Sequence, residues 1–472
     1  MKRHAFLLSV AMIFLTAGCT LAPKYNRPES PVPPKWPVSS ANIYAENAAD
    51  ETAALASSLD WREFMPDEKL QKVIETAFNN NRDLRVAVLN VERAKAYYGI
   101  QRAEFLPSVN AVGSWAKQHV PADLSSTGSS MTTERYDVNL GIAAWEIDLF
   151  GRIRSLKDRA LEEYLATDEA RRSAKLALVS AVAQAYAALA ADREALQVAA
   201  STLRTQEALY DLIKKRYDAG IASEIDLKRA QSQVDTARGD IARYTQVVAQ
   251  DENALNLLAG SPLPAELLPQ NLSGLAMPKD ISAGLSSEIL LQRPDVLAAE
   301  HQLKAAYANI GAARAAFFPR IALTTYAGTA SAELSSLFKS GSGAWSFAPQ
   351  IVMPIFDART WSAYQVTKVE REIAVAQYEK AIQSAFREVA DALAEKSMVG
   401  QRLAAQQSLL DALAETYRLA ELRYTKGIDS YLSVLDAQRT LYGAQQGCIM
   451  LRLARINNLV TLYKSLGGGQ NP

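Results

Sequence analysis

The chain has 472 residues with 51 basic and 51 acidic side chains, and its ordinary apolar content predicts a folded protein of roughly two or three domains. The balanced charge excludes a basic nucleic-acid-binding stripe and an acidic solvating tail. No internal run of about twenty apolar residues is visible, so no membrane-spanning helix is predicted.

The first 18 residues have the layout of a secretory signal peptide, with a basic start, an apolar run over residues 5–15 and two small residues directly before Cys19. This ending resembles a bacterial lipobox, with Thr16 where leucine is usual. The resemblance implies that Cys19 becomes the acylated N-terminus. The alternative is an ordinary signal peptide with an incidental cysteine. We predict residues 1–18 as signal peptide and no cofactor other than a covalent lipid on Cys19.

Residues 19–61 are predicted to form an extended, acylated tether. Six prolines fall within residues 22–37, a density that excludes a helix. Thr20 follows the cysteine where inner-membrane lipoproteins carry aspartate, and this favours anchoring in the outer membrane of a Gram-negative cell. Cys448 then has no partner cysteine, which excludes a disulfide framework and predicts a small apolar filler there.

A first structural repeat is predicted over residues 62–261. Its helical start, residues 67–105, is followed by two segments in which polar and apolar side chains alternate. This period of two predicts two strands joined by a polar loop, at about 107–118 and 134–150.

A very long helix follows these strands. Residues 152–219 contain no Gly and no Pro and are rich in strong helix formers, which predicts a helix about 100 Å long. Gly220 breaks this helix with a left-handed cap, and a second helical stretch runs over residues 224–258. The two helices form a hairpin with its tip near residue 220.

Residues 262–472 repeat this plan. The break "RYDAGIASEIDLKRAQ" returns as "RYTKGIDSYLSVLDAQ", which places a second hairpin tip at Gly427. The remaining strands are predicted at about 319–330 and 344–357. The chain is therefore an internal duplication that supplies four strands and four long helical segments.

Each predicted strand is long enough to cross a bilayer when tilted. A membrane sheet must close into a barrel, and four strands are too few, so several chains must combine. Two chains supply eight strands and three supply twelve, and a hole wide enough for solutes favours twelve. A soluble four-stranded sheet packed on helices is the alternative.

Four stretches carry a resemblance to a known family. They are the mature start "CTLAPKYNRP", the strand exit "WEIDLFGRIR", the block "QRPDVLAAEHQLKAAYANIGAARAAFFPRI" and the second break "RYTKGIDSYLSVLDAQ". In this order they resemble the TolC family of outer-membrane efflux channels, specifically its OprM-like or NodT-type lipoprotein branch. The resemblance covers essentially all of residues 19–466.

The resemblance implies a mostly helical homotrimer that binds no nucleic acid and has no enzymatic activity. Twelve strands form a β-barrel among outer-membrane lipids, and twelve helices continue it as a periplasmic α-barrel. The channel is a passive duct for drugs or other small toxic compounds. Its partners are a periplasmic adaptor (membrane fusion) protein and an inner-membrane pump of the resistance–nodulation–division (RND) class.

The resemblance also implies a gate at the second hairpin tip. Leu432 and Asp436 match a constricting apolar ring and an acidic ring, and their spacing of four places both on one helix face. Three carboxylates in a narrow lumen favour cations. Ser433 stands where some relatives carry a second lumen aspartate.

A lock between the two hairpins is implied by two further positions. Tyr424 and Asp226 match residues that hold the tip shut in relatives, whereas Asp429 stands where some relatives carry a lock arginine. Gly220 and Gly427 match the hairpin turns, whose neighbours are where an adaptor would touch.

Other function classes find less support in the sequence. No phosphate-binding loop, nucleophile motif or metal-ligand cluster is visible, and the mature chain keeps only His119 and His301, so no catalytic residue and no metal site is predicted. A lipid-anchored periplasmic coiled-coil scaffold without a pore is one alternative. A metal-ion efflux channel is another within the family.

Overall fold

A computed structural model describes residues 20–36, 59–281 and 286–468. The predicted signal peptide, Cys19 and residues 37–58 of the predicted tether lie outside the described residues.

The elements of the first repeat follow the predicted order of helix, strand, strand, long helix and long helix. They are α1 (Trp61–Phe64), α2 (Glu68–Asn80), α3 (Arg82–Ala103), β1 (Val109–Val120), β2 (Met131–Ile147), α4 (Arg152–Asp218) and α5 (Glu224–Ala259).

The second repeat has the same order. Its elements are α6 (Pro294–Ala315), β3 (Arg320–Ser331), β4 (Gly343–Val352), α7 (Ala358–Thr425) and α8 (Tyr431–Ser465). Short 3-10 turns occur at Ala265–Leu267, Leu272–Gly274, Ser287–Gln292 and Leu334–Ser336. The predicted duplication, with four strands and four long helices, is confirmed.

The strands form one antiparallel sheet in the order β1-β2-β3-β4. Gly141 and Gly328 allow β2 and β3 to approach each other closely. A Cβ added to Gly141 would lie 2.5 Å from the Thr325 carbonyl oxygen, and one added to Gly328 would lie 2.2 Å from the Val138 carbonyl oxygen. β4 ends at Val352 rather than near residue 357, since Pro354 has no N–H to continue the ladder. β2 begins at Met131, three residues before the predicted start, because its first residues pair with the end of β1.

One stretch of α4 is more apolar than the rest of the long helices. It contains an 18-residue window with a mean hydropathy of 1.5, apolar enough by length and composition to cross a membrane. Within the protein 56% of that window is buried, as in the core helix of a folded domain. The apolar composition is therefore explained by packing against other helices.

The chain divides into two compact units that do not coincide with the two sequence repeats. One unit comprises Met1–Glu29, Asn90–Thr167 and Ala298–Tyr378, and it contains the sheet and α6. The other comprises Ser30–Leu89, Asp168–Leu297 and Glu379–Pro472, and it contains both helix breaks. Each repeat therefore contributes to both units.

A buried arginine organises the end of α8 in the second of these units. Arg293, from the "QRPD" block, is 6% exposed and donates to the Ser465 carbonyl at 2.5 Å. Its guanidinium also binds the carboxylates of Asp295 and Glu388 at 2.7 and 2.9 Å. One cation thus joins α6, α7 and the C-terminus of α8, where a positive charge is favourable.

Arg293→Leu is expected to lower the free energy of unfolding by about 2–3 kcal/mol. The loss falls below that of a fully buried pair because Asp295 and Glu388 stay partly in contact with water. Thermal denaturation of the detergent-solubilised protein measures it. Arg418→Leu is the control, because the Arg418–Glu415 pair is exposed on both sides and its loss leaves stability unchanged. Equal effects from the two variants would contradict the role of Arg293.

Candidate gate at the helix tips

The two helix breaks have the same backbone geometry. Gly220 and Gly427 lie at φ 75° and 74°, in the left-handed region that favours glycine. In each break the residue after the glycine donates to a carbonyl five residues earlier, Ile221 to Arg216 at 2.8 Å and Ile428 to Arg423 at 2.9 Å. These bonds close both helices with the same C-terminal cap. The structure therefore places both predicted turn glycines at hairpin tips.

The two hairpins meet in one apolar cluster near their tips, which we call the tip core. It contains Leu209 and Ile213 of α4, Ala230 of α5, Ala420 and Tyr424 of α7, and Tyr431, Val434, Leu435 and Ala437 of α8. All four long helices contribute, so separating the hairpins exposes these side chains to water. The tip core thus opposes opening through the hydrophobic effect.

Tyr424 lies in the tip core and contacts the other hairpin. Its buried ring is 5.1 Å from the guanidinium carbon of Arg216 on α4, a distance that permits a cation–π interaction. Asp226 is half-buried, and its Oδ2 accepts a hydrogen bond from the Ser223 hydroxyl at 2.7 Å. The structure therefore gives Tyr424 a direct link between hairpins and places Asp226 at the N-terminal cap of α5.

Sequence reasoning did not single out Tyr431, although it is the most buried aromatic residue of the tip core. It is 3% exposed, and its ring lies 5.6 Å from that of Tyr424. Its hydroxyl has no hydrogen-bond partner within the described residues. Burial, together with Tyr424, Tyr417 and Asp226, raises the pKa of Tyr431. The only sequence signal was an aromatic residue where the first break has Glu224.

Asp429 forms its contact within the second hairpin. The Arg423 guanidinium donates two bonds to its carboxylate, at 2.6 and 3.0 Å, across the turn at Gly427. The hydrogen bonds from Arg423 hold the pKa of Asp429 below its usual range. Asp429, which stands where some relatives carry an arginine, therefore forms an ion pair with Arg423 inside one hairpin.

Leu432 and Asp436 lie on the face of α8 that points away from the tip core. Leu432 is 52% exposed, whereas its neighbours Tyr431 and Val434 are buried. The exposed Asp436 carboxylate lies 3.0 Å from the Arg439 guanidinium, one turn further along α8. Leu432 and Asp436 therefore share an exposed face of α8, and the Asp436 carboxylate has the Arg439 cation beside it. Arg439, at spacing i+3, is a neighbour that the sequence analysis did not consider.

Residues 20–27 are fixed against α6 in the unit that contains the sheet. The Leu21 carbonyl accepts a hydrogen bond from Arg314 at 3.1 Å. Ala22 packs directly against Gly311, because a Cβ added to that glycine would lie only 2.8 Å from the Ala22 Cα. Glu300, 2% exposed, accepts bonds from Tyr25 and Arg27. This N-terminal clasp (residues 20–27 on α6) holds the residues next to Cys19 close to Arg314, near the start of β3.

The two histidines noted in the sequence, His119 and His301, contact different partners. His119 contacts Thr132 on the neighbouring strand at 3.1 Å, and His301 lies 2.6 Å from Glu162. Over the described residues, no three His, Cys, Asp or Glu side chains are grouped so that they could hold a metal ion. Cys448 is buried, with its Sγ 3.6 Å from Gln407 Oε1.

The sheet and the hairpins together define a class of protein. The fold is that of trimeric channels in which each chain gives four strands to a twelve-stranded β-barrel and four helices to a helical tunnel. β1 and β4 are the two edges of the sheet, and closure of a barrel requires each edge to pair with another chain.

Comparison with known proteins identifies the family. The model of the outer membrane efflux protein family matches residues 73–261 and 285–468, and the chain belongs to this family. It is 47% identical to the toluene efflux pump outer membrane protein TtgC of Pseudomonas putida over 466 residues, 98% of this chain and 95% of that protein. It is 42% identical to OprJ of Pseudomonas aeruginosa over 474 residues, 99% of this chain and 97% of OprJ.

A solved structure shows the same fold. The open state of the Neisseria gonorrhoeae MtrE outer membrane channel is 38% identical, with a TM-score of 0.84 over 96% of this chain and 98% of that one. The prediction of a TolC-family channel located in the outer membrane and extending into the periplasm is confirmed.

Tyr431→Phe is expected to tighten the tip core, because it removes a buried hydroxyl that has no partner while keeping the ring. The closed state gains about 1 kcal/mol, and the channel conductance in planar bilayers falls. Tyr424→Phe is the matched control for losing a hydroxyl. A higher conductance after Tyr431→Phe would mean that the hydroxyl has a partner in the assembled trimer, and would contradict this assignment.

Glu300→Gln is expected to release the N-terminal clasp, with faster hydrogen exchange over residues 20–27. Burial opposes ionisation, but Arg27, Lys304 and Tyr25 hold the pKa of Glu300 below its usual range. The clasp is therefore fully stabilised above a pH of about 4.3 and is lost as the pH falls through the lower folded-state pKa. The variant lacks this acid dependence. Glu163→Gln, at the exposed Arg159 pair, is the control and leaves exchange unchanged.

Proposed function

We propose that this chain forms the outer-membrane exit duct of a tripartite efflux pump for drugs, solvents or other small toxic compounds. The duct carries out no chemical step. Support comes from relatives that are named as toluene, solvent and antibiotic efflux pump outer membrane proteins, each matched over 98% of this chain. The energy for transport then comes from an inner-membrane pump of the RND class.

The observation that carries the proposal is the exposed sheet with two open edges. Large apolar side chains on the strands, such as Trp115, Trp345 and Ile351, are exposed in the single chain. A soluble sheet buries such side chains against a second layer, whereas a barrel in lipid presents them outward. A lipid-anchored coiled-coil scaffold leaves these strands without a role.

Leu432 and Asp436 are proposed as the gate. In a trimer, three Leu432 side chains form an apolar constriction, and three Asp436 carboxylates lie one turn beyond it. Their exposure in the single chain supports this, because a lumen-facing side chain has no packing partner within its own chain. Arg439 beside each Asp436 reduces the net charge of the acidic ring, so its preference for cations is modest.

Tyr424, Asp226 and Tyr431 are proposed to hold the two hairpins together below the gate. Tyr424 contacts Arg216 of the other hairpin, and the charge of Asp226 acts on Tyr431. Opening then requires these aromatic rings to leave the tip core. The carboxylate of Asp429 stays with Arg423 throughout, because both belong to the same hairpin.

The tips are proposed to receive the periplasmic adaptor protein. Ile221 and Ile428, the residues after the two turn glycines, are 67% and 59% exposed. They occupy equivalent positions in the two repeats, so a trimer presents six apolar contacts at the tunnel end.

Lipid acylation of Cys19 is proposed as the anchor. The N-terminal clasp supports it, because residues 20–22 already lie beside the end of α6 that leads into β3. A lipid on Cys19 therefore enters the bilayer close to the strands.

Planar-bilayer conductance of the detergent-solubilised trimer tests the duct and the gate together. A small conductance with a modest cation preference is expected, with a rise of about tenfold in Leu432→Ala/Asp436→Ala because the constriction widens. The control Leu409→Ala/Asp411→Ala changes the same residue types at two exposed positions of α7 and leaves conductance unchanged. No conductance from any folded variant would refute the duct, and equal conductances in all three would refute only the gate.

A further inference from the structure

A cavity of about 520 Å³ lies between α7, α8 and the segment 272–277, all within the compact unit that contains the helix tips. We call it the Gly400 pocket. It lies beside α7 some 27 residues before Gly427, which corresponds to about 40 Å along the helix from that turn. Its size falls in the range of small-molecule sites.

The pocket exists because α7 carries a glycine at this point. Gly400 is the only glycine in the 68 residues of α7, although glycine is the poorest helix former after proline. No atom lies within 4 Å of a Cβ built on Gly400, and its backbone is ordinary helix. The helix therefore needs no glycine for its conformation, and the missing side chain leaves open space on one wall of the pocket.

The pocket has an apolar wall and two guanidinium groups. Leu275, Met277, Leu403 and Ile456 are among the apolar side chains that line it. Arg452 already has partners within the protein, because it donates to the Glu194 carboxylate at 2.6 Å and to the Ser273 hydroxyl at 3.0 Å. Arg455 lines the same pocket, is exposed, and has no ion-pair or hydrogen-bond partner among the residues that the structure describes.

The surrounding acidic groups do not compete for Arg455. No Asp or Glu lines the pocket in the described part of the chain. Glu194 is held by Arg452, and Asp411 accepts a bond from the Gln407 amide at 3.0 Å. An uncompensated guanidinium beside an apolar cavity binds best a ligand with a carboxylate or sulfonate head and an apolar body.

We propose that the Gly400 pocket binds small amphiphilic anions, with the acidic head on Arg455 and the apolar body against Leu403 and Ile456. This site lies outside the gate and goes beyond the proposed duct function. The binding energy comes from a charge-assisted contact at the rim and from burial of the apolar body in the space that Gly400 leaves open.

The test is isothermal titration of the trimer in a non-ionic detergent with 2-naphthoate, using empty micelles as the reference. Saturable binding is expected for 2-naphthoate, and binding at least tenfold weaker for the uncharged 2-naphthalenemethanol. Arg455→Gln is expected to weaken 2-naphthoate binding about tenfold, the effect of losing one charge-assisted contact, and Arg455→Lys to recover part of the loss.

Gly400→Leu is the decisive variant, because leucine favours the helix and fills the pocket. It is expected to abolish binding while the trimer and its conductance are retained. Gly443→Leu is the matched control: Gly443 is another exposed helical glycine with no atom within 4 Å of a built Cβ, and it lies outside the pocket lining. This control keeps full affinity.

Two results would overturn the proposal: no saturable binding by the unaltered protein, and unchanged binding by Gly400→Leu. If the first result comes with dissociation of the Gly400→Leu trimer, the cavity is assigned to a contact between protomers. Neither result alters the conductance test, so failure of this site and failure of the duct are distinguishable.

Discussion

Backbone hydrogen bonding at the sheet edges is the constraint on which the rest of the molecule depends. Within one chain β1 and β4 each pair on one side only, and an unpaired strand edge is not tolerated in hydrocarbon. Closure by three copies satisfies both edges, and it fixes the number of helices that continue below the barrel. Because one chain supplies only four strands, the tunnel must be built from several chains, and the duplication supplies these strands as two similar hairpins.

The same duplication explains why a gate is possible at the tips. The two breaks share their glycine caps and backbone bonds, yet they differ at the first residue of the helix that follows the turn. The first hairpin continues with an exposed Glu224, whereas the second continues with the buried Tyr431. Because the turns are alike but these side chains differ, only the second hairpin inserts an aromatic ring at this position into the tip core. If both hairpins carried the same residue here, the two would pack in the same way.

Patterns that depend on near neighbours were predictable from the sequence, and those that depend on distant partners were not. The long helices follow from the absence of Gly and Pro over residues 152–219, and the turns follow from Gly220 and Gly427. Arg293 binds Glu388, 95 positions away, and Ser465, 172 positions away, so no local sequence pattern predicts these contacts. Likewise the burial of Tyr431 depends on four helices meeting, and the end of β4 depends on where pairing with β3 stops.

The N-terminal clasp has a consequence for how the barrel reaches the bilayer. In the chain, the proposed acylation site is two residues before Leu21, whose carbonyl is bound to Arg314. If the proposed lipid is attached there and inserted, it would keep the strands that follow α6 next to the membrane. Insertion of these strands would then be an intramolecular step, with a high effective concentration of strand at the bilayer surface. The proposed anchor would thereby raise the rate of barrel assembly without contributing a contact to the finished channel.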